Sequence, residues 1–157
     1  MFRQDYARFS IFAGLNDCQI NHLLPYLQEA RFPEDSHIFE QGQPAENLYI
    51  LLSGEVVIRY KPYDGPPLTV ARIMPGGVFG WSAALHRDVY TSGAAAVQDS
   101  LAYCIRGASL AVILKDHPVT GEMLLDRLAS VIAQRLQDTH TQVLGILVQG
   151  IDEFSCK

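Results

Sequence analysis

The chain has few cations for its length, and it has no long apolar run. It carries 12 Lys plus Arg against 17 Asp plus Glu in 157 residues, which gives a net charge of −5 and a pI near 5.4. Phosphate contacts need clustered cations, so we expect no direct nucleic-acid binding by this chain. No apolar run approaches the roughly 18 to 20 residues of a membrane span, so we expect no membrane association either.

Cysteine is also scarce. Cys18, Cys104 and Cys156 are odd in number and far apart, which predicts reduced thiols in a cytoplasmic protein rather than a disulfide framework. Three isolated thiols cannot supply the clustered ligands of an iron–sulfur sensor. The first ten residues mix charges with aromatics and lack the apolar core of a secretory signal.

Catalytic motifs are missing as well. Metal-dependent cupins, which share a β-barrel, need two close His and a carboxylate, whereas the five His of this chain are scattered. No Ser-His-Asp pattern appears, so we predict a protein that is not an enzyme and holds no metal or cofactor. A haem sensor needs only one axial His or Cys. His86 is the candidate ligand, and a surface-loop role is its alternative.

The composition nevertheless predicts one folded domain, because 48% of the residues are hydrophobic. After Pro33, short β-prone runs are separated by Gly42, Gly54, Gly65 and Gly76, at intervals of 12, 11 and 11 residues. This spacing is typical of antiparallel strands in a sandwich or barrel. The pattern predicts strands over residues 37–40, 48–52, 55–61, 68–74, 93–97 and 101–105.

Helical patterns flank the strands. Asn16 and Gln19 have the spacing of a capping box, at the start of a helix whose apolar positions run to residue 27. A shorter helical pattern precedes Pro118, which suits the first turn of a long helix because its missing N–H would be unpaired there. That helix is predicted to end at about Gln149, with Gly150 as its stop.

The long helix carries an apolar stripe that continues beyond the reach of one small barrel. Such a stripe predicts a homodimer, and its alternative is that the whole stripe packs on its own barrel. Gly121 and Gly145 each cost roughly 1 kcal/mol relative to Ala, so we expect close packing or a bend at both. We divide the chain into residues 1–117 and a dimerisation helix with its tail, 118–157. The stripe comprises Leu124, Leu125, Leu128, Ile132, Leu136, Val143, Ile146 and Leu147.

A glycine-rich segment, residues 76–85 and hereafter the cassette, lies at the centre of the chain. Three glycines in five residues, ending at Gly80, predict a backbone that approaches a ligand closely and points N–H groups at it. A helical N-terminus there would favour a small anion. We expect this anion to contact the amides of Ser82, Ala83 and Ala84 and the hydroxyls of Thr91 and Ser92.

Together these segments resemble the cyclic-nucleotide-binding domain family, which includes the catabolite activator protein and the regulatory subunits of cyclic-AMP-dependent kinase. The resemblance covers about residues 11–149 and implies a double-stranded β-helix with flanking helices and a regulatory role. The stretch Arg135–Thr139 is similar to the dimer helix of the activator branch. The resemblance rests on Phe12-Ala13-Gly14-Leu15, Phe39-Glu40-Gln41-Gly42, Leu48-Tyr49-Ile50, Ser53-Gly54-Glu55-Val56, Gly76-Gly77-Val78-Phe79-Gly80 and Leu128-Ala129 to Arg135-Leu136.

Two positions depart from the family pattern. In the family, the residue after Phe-Gly is usually a Glu that holds the ribose 2′-hydroxyl, and about nine residues later an Arg meets the cyclic phosphate. This chain has Trp81 and Tyr90 there. Losing an Arg–phosphate pair costs about 2 to 5 kcal/mol, or roughly 30-fold to several thousand-fold in affinity. We therefore expect no tight binding of cyclic AMP.

The sequence leaves two alternatives for the pocket. Either it is rewired for a different, flatter or more apolar effector, with His86 or Arg87 as a substitute cation, or Trp81 and Tyr90 fill it and only a dimerising module remains. Two residues of the long helix are further ligand candidates, because the activator branch places base-contacting residues there. They are Thr139 and His140, whose alternative role is plain helix surface.

Activator relatives continue past the dimer helix into a helix-turn-helix domain. Only residues 151–157 follow Gly150, which is too short for such a domain. The chain is therefore expected to be either a free-standing sensor domain or a truncated regulator.

Overall fold

Two four-stranded antiparallel sheets form the centre of the computed structural model, which describes residues 9–155 and the side chains of residues 9–150. The strands are β1 (Gln28–Phe32), β2 (His37–Phe39), β3 (Asn47–Ser53), β4 (Val56–Tyr60), β5 (Leu68–Ile73), β6 (Val78–Phe79), β7 (Gly93–Ala96) and β8 (Ser100–Arg106). Their order is β1-β8-β3-β6 in one sheet and β2-β7-β4-β5 in the other. The predicted mainly-β, jelly-roll-like barrel with flanking helices is thus confirmed.

All six predicted strands are present, and the four turn glycines have positive φ angles of +89° to +154°. The sequence pattern does not reveal β1 and β6. Strand β1 pairs only with β8 and exposes most of its side chains, so it lacks a clear alternation. Strand β6 has two residues and exists because it pairs with Tyr49 and Ile50. Both strands depend on tertiary pairing rather than on local preference.

The core has two layers that meet on β3. Leu48 and Ile50 of this strand pack towards the helices, while Tyr49 and Leu51 pack between the two sheets. Because successive side chains of a strand point to opposite faces, one strand supplies both layers. Strand β3 is therefore almost wholly buried.

The first helix, α1 (Asp17–Leu23), begins with the predicted capping box. The Asn16 side chain accepts from the Gln19 amide, and the Gln19 side chain accepts from the Asn16 amide, both at 2.9 Å. The expectation that this helix continues to Leu27 is wrong. A 3-10 turn at residues 24–26 replaces it, because Pro25 cannot supply the N–H of a continuing α-helix.

Two further helices follow the barrel: α2 (Gly107–Asp116) and α3 (Pro118–Ser155). Pro118 occupies the first position of α3 as predicted, but Gly150 does not stop the helix, which continues to Ser155. A lone glycine costs a helix only about 1 kcal/mol, and no proline follows it to enforce an end. Helix α3 contacts α2 and the 3-10 turn at residues 10–12.

The proximal and distal parts of α3 differ in burial. Leu124 and Leu128 are buried against the barrel, whereas Leu136 and Leu147 are 62% and 59% exposed. Val143 and Ile146 are 50% and 69% exposed. The alternative in which the whole stripe packs on its own barrel is therefore wrong. The division of the chain at Pro118 stays a prediction.

The cysteines that the structure describes are unpaired. Cys18 and Cys104 carry free thiols, while Cys156 lies outside the described residues. Among the described side chains, those of residues 9–150, no group of three His, Cys, Asp or Glu is arranged to hold a metal ion. No α-helix in that part of the chain combines the length and the hydropathy needed to cross a bilayer.

The two glycines inside α3 have different surroundings. A Cβ on Gly121 would lie 2.7 Å from Leu114 Cα and 3.0 Å from Leu114 N, so the predicted close packing is confirmed there. A Cβ on Gly145 would have no described atom within 4 Å, so the structure gives no packing reason for this glycine.

This difference makes the two glycines a matched pair for mutagenesis. We expect Gly121→Ala to destabilise the protein by about 1 to 3 kcal/mol, because the α2 backbone must move. Gly145→Ala should raise stability by up to about 1 kcal/mol through helix propensity. Thermal unfolding followed by circular dichroism measures both changes. A Tm shift of the same sign in both variants would contradict the close crossing of α2 and α3.

Candidate functional site

The cassette folds into a tight turn that begins at Gly80. This residue is left-handed, at φ +75°, and a Cβ on it would lie 2.9 Å from the Asn47 carbonyl oxygen. A single 3-10 turn over residues 81–83 follows. The Ala83 amide donates to the Gly80 carbonyl at 3.3 Å, and the Ala84 amide donates to the Trp81 carbonyl at 2.9 Å.

These bonds correct part of the expected anion site. Because a 3-10 turn closes i to i+3 hydrogen bonds at once, the amides of Ala83 and Ala84 are consumed inside the turn rather than offered to a ligand. Ser82 is left as the candidate amide donor of the three. Its side chain is also among the few buried polar groups of the described chain.

Tyr90 is a core residue. Its ring stacks on Phe39 with centroids 3.8 Å apart, and only 4% of it is exposed. The hydroxyl donates to the Asn47 carbonyl at 2.6 Å and accepts from the Asn47 amide at 3.1 Å. Its own amide and carbonyl are bonded to Gln43 and Gly42. At this position the side chain fills the space, as the second alternative expected.

Trp81 differs from Tyr90, because its side chain is only half-buried and contacts a cationic side chain. The guanidinium carbon of Arg135, on α3, lies 4.5 Å from the Trp81 ring centroid. Arg135 Nη2 also donates to the Val78 carbonyl at 2.6 Å. Burial lowers the pKa of Arg135. An arginine of the long helix therefore contacts the cassette directly, through a cation–π contact and a hydrogen bond.

A cavity of about 250 Å³ remains beside these residues, hereafter the cassette cavity. Its wall is mostly apolar, and its polar groups are side chains of the cassette, the following loop and α3. The volume is slightly below the roughly 300 Å³ at which typical ligand pockets begin, so it suits a small molecule. It is lined by Phe39, Ile58, Val70, Ala71, Gly80, Trp81, Ser82, Tyr90, Thr91, Ser92, Arg135, Leu136 and Thr139.

Most of the candidate residues lie on this cavity, but five do not. Ala84 and His140 are absent from its lining, and Ala83, His86 and Arg87 line a separate cleft beside the start of α2. In this structure the loop holds His86 and Arg87 away from the cavity, so neither supplies the missing cation here, and their substitution for it stays a prediction. With His86 elsewhere, the haem alternative has no axial ligand at this site.

Arg135 is a site residue that the sequence did not predict. One signal was available, since Arg135 lies four residues before Thr139 and this spacing places both on one face of a helix. Both residues also line a larger groove of about 710 Å³ along α3, hereafter the helix groove. Cavity and groove share four residues: Val70, Ala71, Arg135 and Thr139.

Comparison with known proteins identifies the family to which this fold belongs. A protein-family model described as "Cyclic nucleotide-binding domain" matches residues 29–117, which include the cassette and most of the barrel. The chain belongs to this family. The matched residues include the glycine-rich cassette, Trp81 and Tyr90.

Two similar proteins match most of this cyclic nucleotide-binding domain. It is 29% identical over 145 residues to the CRP-like cAMP-activated global transcriptional regulator of Mycobacterium tuberculosis, covering 92% of the chain and 63% of that regulator. It is 26% identical to the Thermus thermophilus catabolite activator protein, whose crystal structure superposes with a TM-score of 0.73 and is covered to 63%, against 88% of this chain.

A third comparison concerns the fold alone. A cyclic nucleotide-binding domain from Methylobacillus flagellatus has a TM-score of 0.81 at 19% identity, over 89% of this chain and 79% of that one. The present chain spans about three-fifths of the length of the two regulators named above.

The buried tyrosines of the domain predict an alkaline limit to its stability. Burial, followed by the nearby Cys104 and Tyr90 charges, raises the pKa of Tyr49 to about 12, and burial also raises the pKa of Tyr90. The folded state thus keeps protons that the unfolded chain releases near pH 10. The contribution of these two tyrosines to stability should be constant up to about pH 10 and fall as the pH rises towards 12.

Denaturant unfolding at several pH values measures this loss, and absorbance near 295 nm follows tyrosinate formation. The variant Tyr49→Phe should reduce the alkaline slope, while Tyr63→Phe, at a fully exposed ring, should leave it unchanged. Equal slopes in the wild type and in Tyr49→Phe would contradict the prediction.

Proposed function

We propose that this chain is a non-catalytic, effector-sensing domain whose pocket is rewired away from cyclic AMP. The main support for this proposal is the cassette cavity, because space for a ligand remains although Trp81 and Tyr90 replace the two polar anchors. Tyr90 stands at the phosphate anchor position as an immobilised neutral ring. A cyclic phosphate placed against Tyr90 would meet this neutral ring instead of an Arg, and the apolar wall of the cavity favours a small, flat ligand.

The contact between the cassette and α3 also supports the effector-sensing role. A ligand in the cavity would lie against both Trp81 of the cassette and Arg135 or Thr139 of α3, so its contacts would differ between alternative arrangements of these two elements. The output of the domain is then a changed position of α3. Because the chain is similar to the regulators named above, we propose that this output serves a cytoplasmic transcriptional regulator.

We further propose that the domain works as a homodimer through the distal part of α3. Several large apolar side chains there are half or more exposed, including Ile146 at 69%. A run of such residues on one helix favours pairing with a second copy, because water exposure of each costs free energy that a coiled-coil seam recovers. The dimer surface begins next to Arg135, so effector and interface share one helix.

A ligand-free pairing module is the second candidate, and the buried Tyr90 favours it. Native mass spectrometry of freshly purified protein separates the two: a co-purified small molecule supports the sensor. Isothermal calorimetry with cyclic AMP tests the rewiring. We expect the dissociation constant for cyclic AMP to lie above about 10 μM, because the missing Arg–phosphate pair weakens affinity by roughly 30-fold or more. Submicromolar binding would refute the proposal.

A further inference from the structure

Among the side chains of residues 9–150, the guanidinium of Arg135 has no anionic partner. In the described part of the chain no Asp or Glu forms an ion pair with it, although salt bridges are present at Arg72 and Arg127. One of its five N–H donors goes to the Val78 carbonyl, and its face covers Trp81. A partly buried charge without a counter-charge is costly, so the site is completed most favourably by an anion.

The surroundings of Arg135 fit such an anion. The side chain lines both the cassette cavity and the helix groove, so its remaining donors are reachable from either space. The hydroxyl side chains of Ser82, Thr91 and Ser92 lie on the same cavity. Hydroxyls and a guanidinium together can satisfy the oxygens of one carboxylate or phosphate.

The geometry points to Arg135 as the anion anchor of the rewired pocket, taking a small ligand that joins a flat apolar body to one oxyanion. This inference rests on the proposed function and names its ligand class. The aromatic and aliphatic wall, with Phe39 and Ile58, receives the flat body. The cation is supplied by α3 instead of the cassette loop, so the ligand's charge acts on the long helix without an intermediary.

The test uses a reporter already present in the site, because Trp81 is the single tryptophan of the chain. Benzoate, a flat ring with one carboxylate, is titrated into the 157-residue chain at constant ionic strength, and benzamide serves as its uncharged isostere. We expect benzoate to change the Trp81 emission saturably and benzamide to bind at least tenfold more weakly, because it lacks the charge-assisted bonds.

The matched variants are Arg135→Gln and Arg72→Gln. Both remove one positive charge, but Arg72 lies on the helix groove and not on the cassette cavity. Arg135→Gln should weaken benzoate at least tenfold and leave benzamide within twofold, whereas Arg72→Gln should leave both within twofold. Arg135→Lys, which keeps the charge, should retain part of the affinity. Circular dichroism and the oligomeric mass confirm that each variant is folded.

Two outcomes overturn the anchor. If Arg135→Gln binds benzoate as the wild type does, the cavity takes ligands without this residue, and the proposed function stands without the anchor. If the wild type responds to neither probe at tens of millimolar, no small flat oxyanion is held there. The sensor itself is then judged separately, by the native mass spectrum of the freshly purified protein.

Discussion

Leu147→Asp is expected to turn the domain from a dimer into a monomer at tens of micromolar. Leu147 lies four residues after Val143, on one side of α3, and both side chains are half or more exposed in the single chain. In a paired helix they would face the partner, where a carboxylate has no counter-charge. Burying an unpaired charge costs several kcal/mol, so the dissociation constant should rise at least 100-fold.

Size-exclusion chromatography with light scattering measures the mass. Gln149→Asp is the matched control, since it adds the same charge two residues further on, about 200° round the helix and therefore on the opposite side. Gln149→Asp should remain dimeric. A wild type that is monomeric at tens of micromolar would remove the dimer altogether. A Leu147→Asp variant that stays dimeric would place the interface elsewhere.

The parts of this fold that follow from the sequence are those determined by local chemistry. The capping box of α1 needs only Asn16 and Gln19 at a spacing of three residues. The same holds for Pro118, which begins α3 because of its own missing N–H. Such features depend on neighbours within one turn, and a single sequence contains all of them.

The parts that do not follow depend on contacts between distant segments. Nothing near Tyr90 in the sequence indicates that its hydroxyl is bonded to both backbone groups of Asn47. Arg135 is likewise an ordinary helical arginine until α3 crosses the cassette and brings it to Trp81. For the same reason the sequence does not show which cation contacts the cassette. Arg87 is close to the cassette along the chain but lines a different cleft, whereas Arg135 contacts Trp81 in the fold.

The family anchors can be restored to test whether Trp81 and Tyr90 alone account for the weak cyclic AMP binding that we expect of this domain. We expect the double variant Trp81→Glu/Tyr90→Arg to bind cyclic AMP at least about 30-fold more tightly than the wild type. The new Arg would stand opposite a phosphate, and such a pair contributes about 2 to 5 kcal/mol. The new Glu would free space at the sugar position and meet Arg135, which now rests on the indole.

The exchange has a structural cost that the design must allow for. Removing the Tyr90 hydroxyl leaves the Asn47 amide and carbonyl without their present partner, at a cost of about 1 to 3 kcal/mol. An Arg at this position can donate to the carbonyl but cannot accept from the amide. We therefore expect a lower Tm for the double variant in the absence of ligand, and recovery of part of it with cyclic AMP because binding stabilises the folded state.

Calorimetry with cyclic AMP and with adenosine separates the two contributions. Adenosine lacks the phosphate, so its affinity should change little between Trp81→Glu and the double variant, whereas that of cyclic AMP should rise steeply only when the Arg is added. A folded, dimeric double variant with no gain for cyclic AMP would refute the two-residue explanation. The cavity wall around Phe39 and Ile58, rather than the two anchors, would then be what excludes the nucleotide.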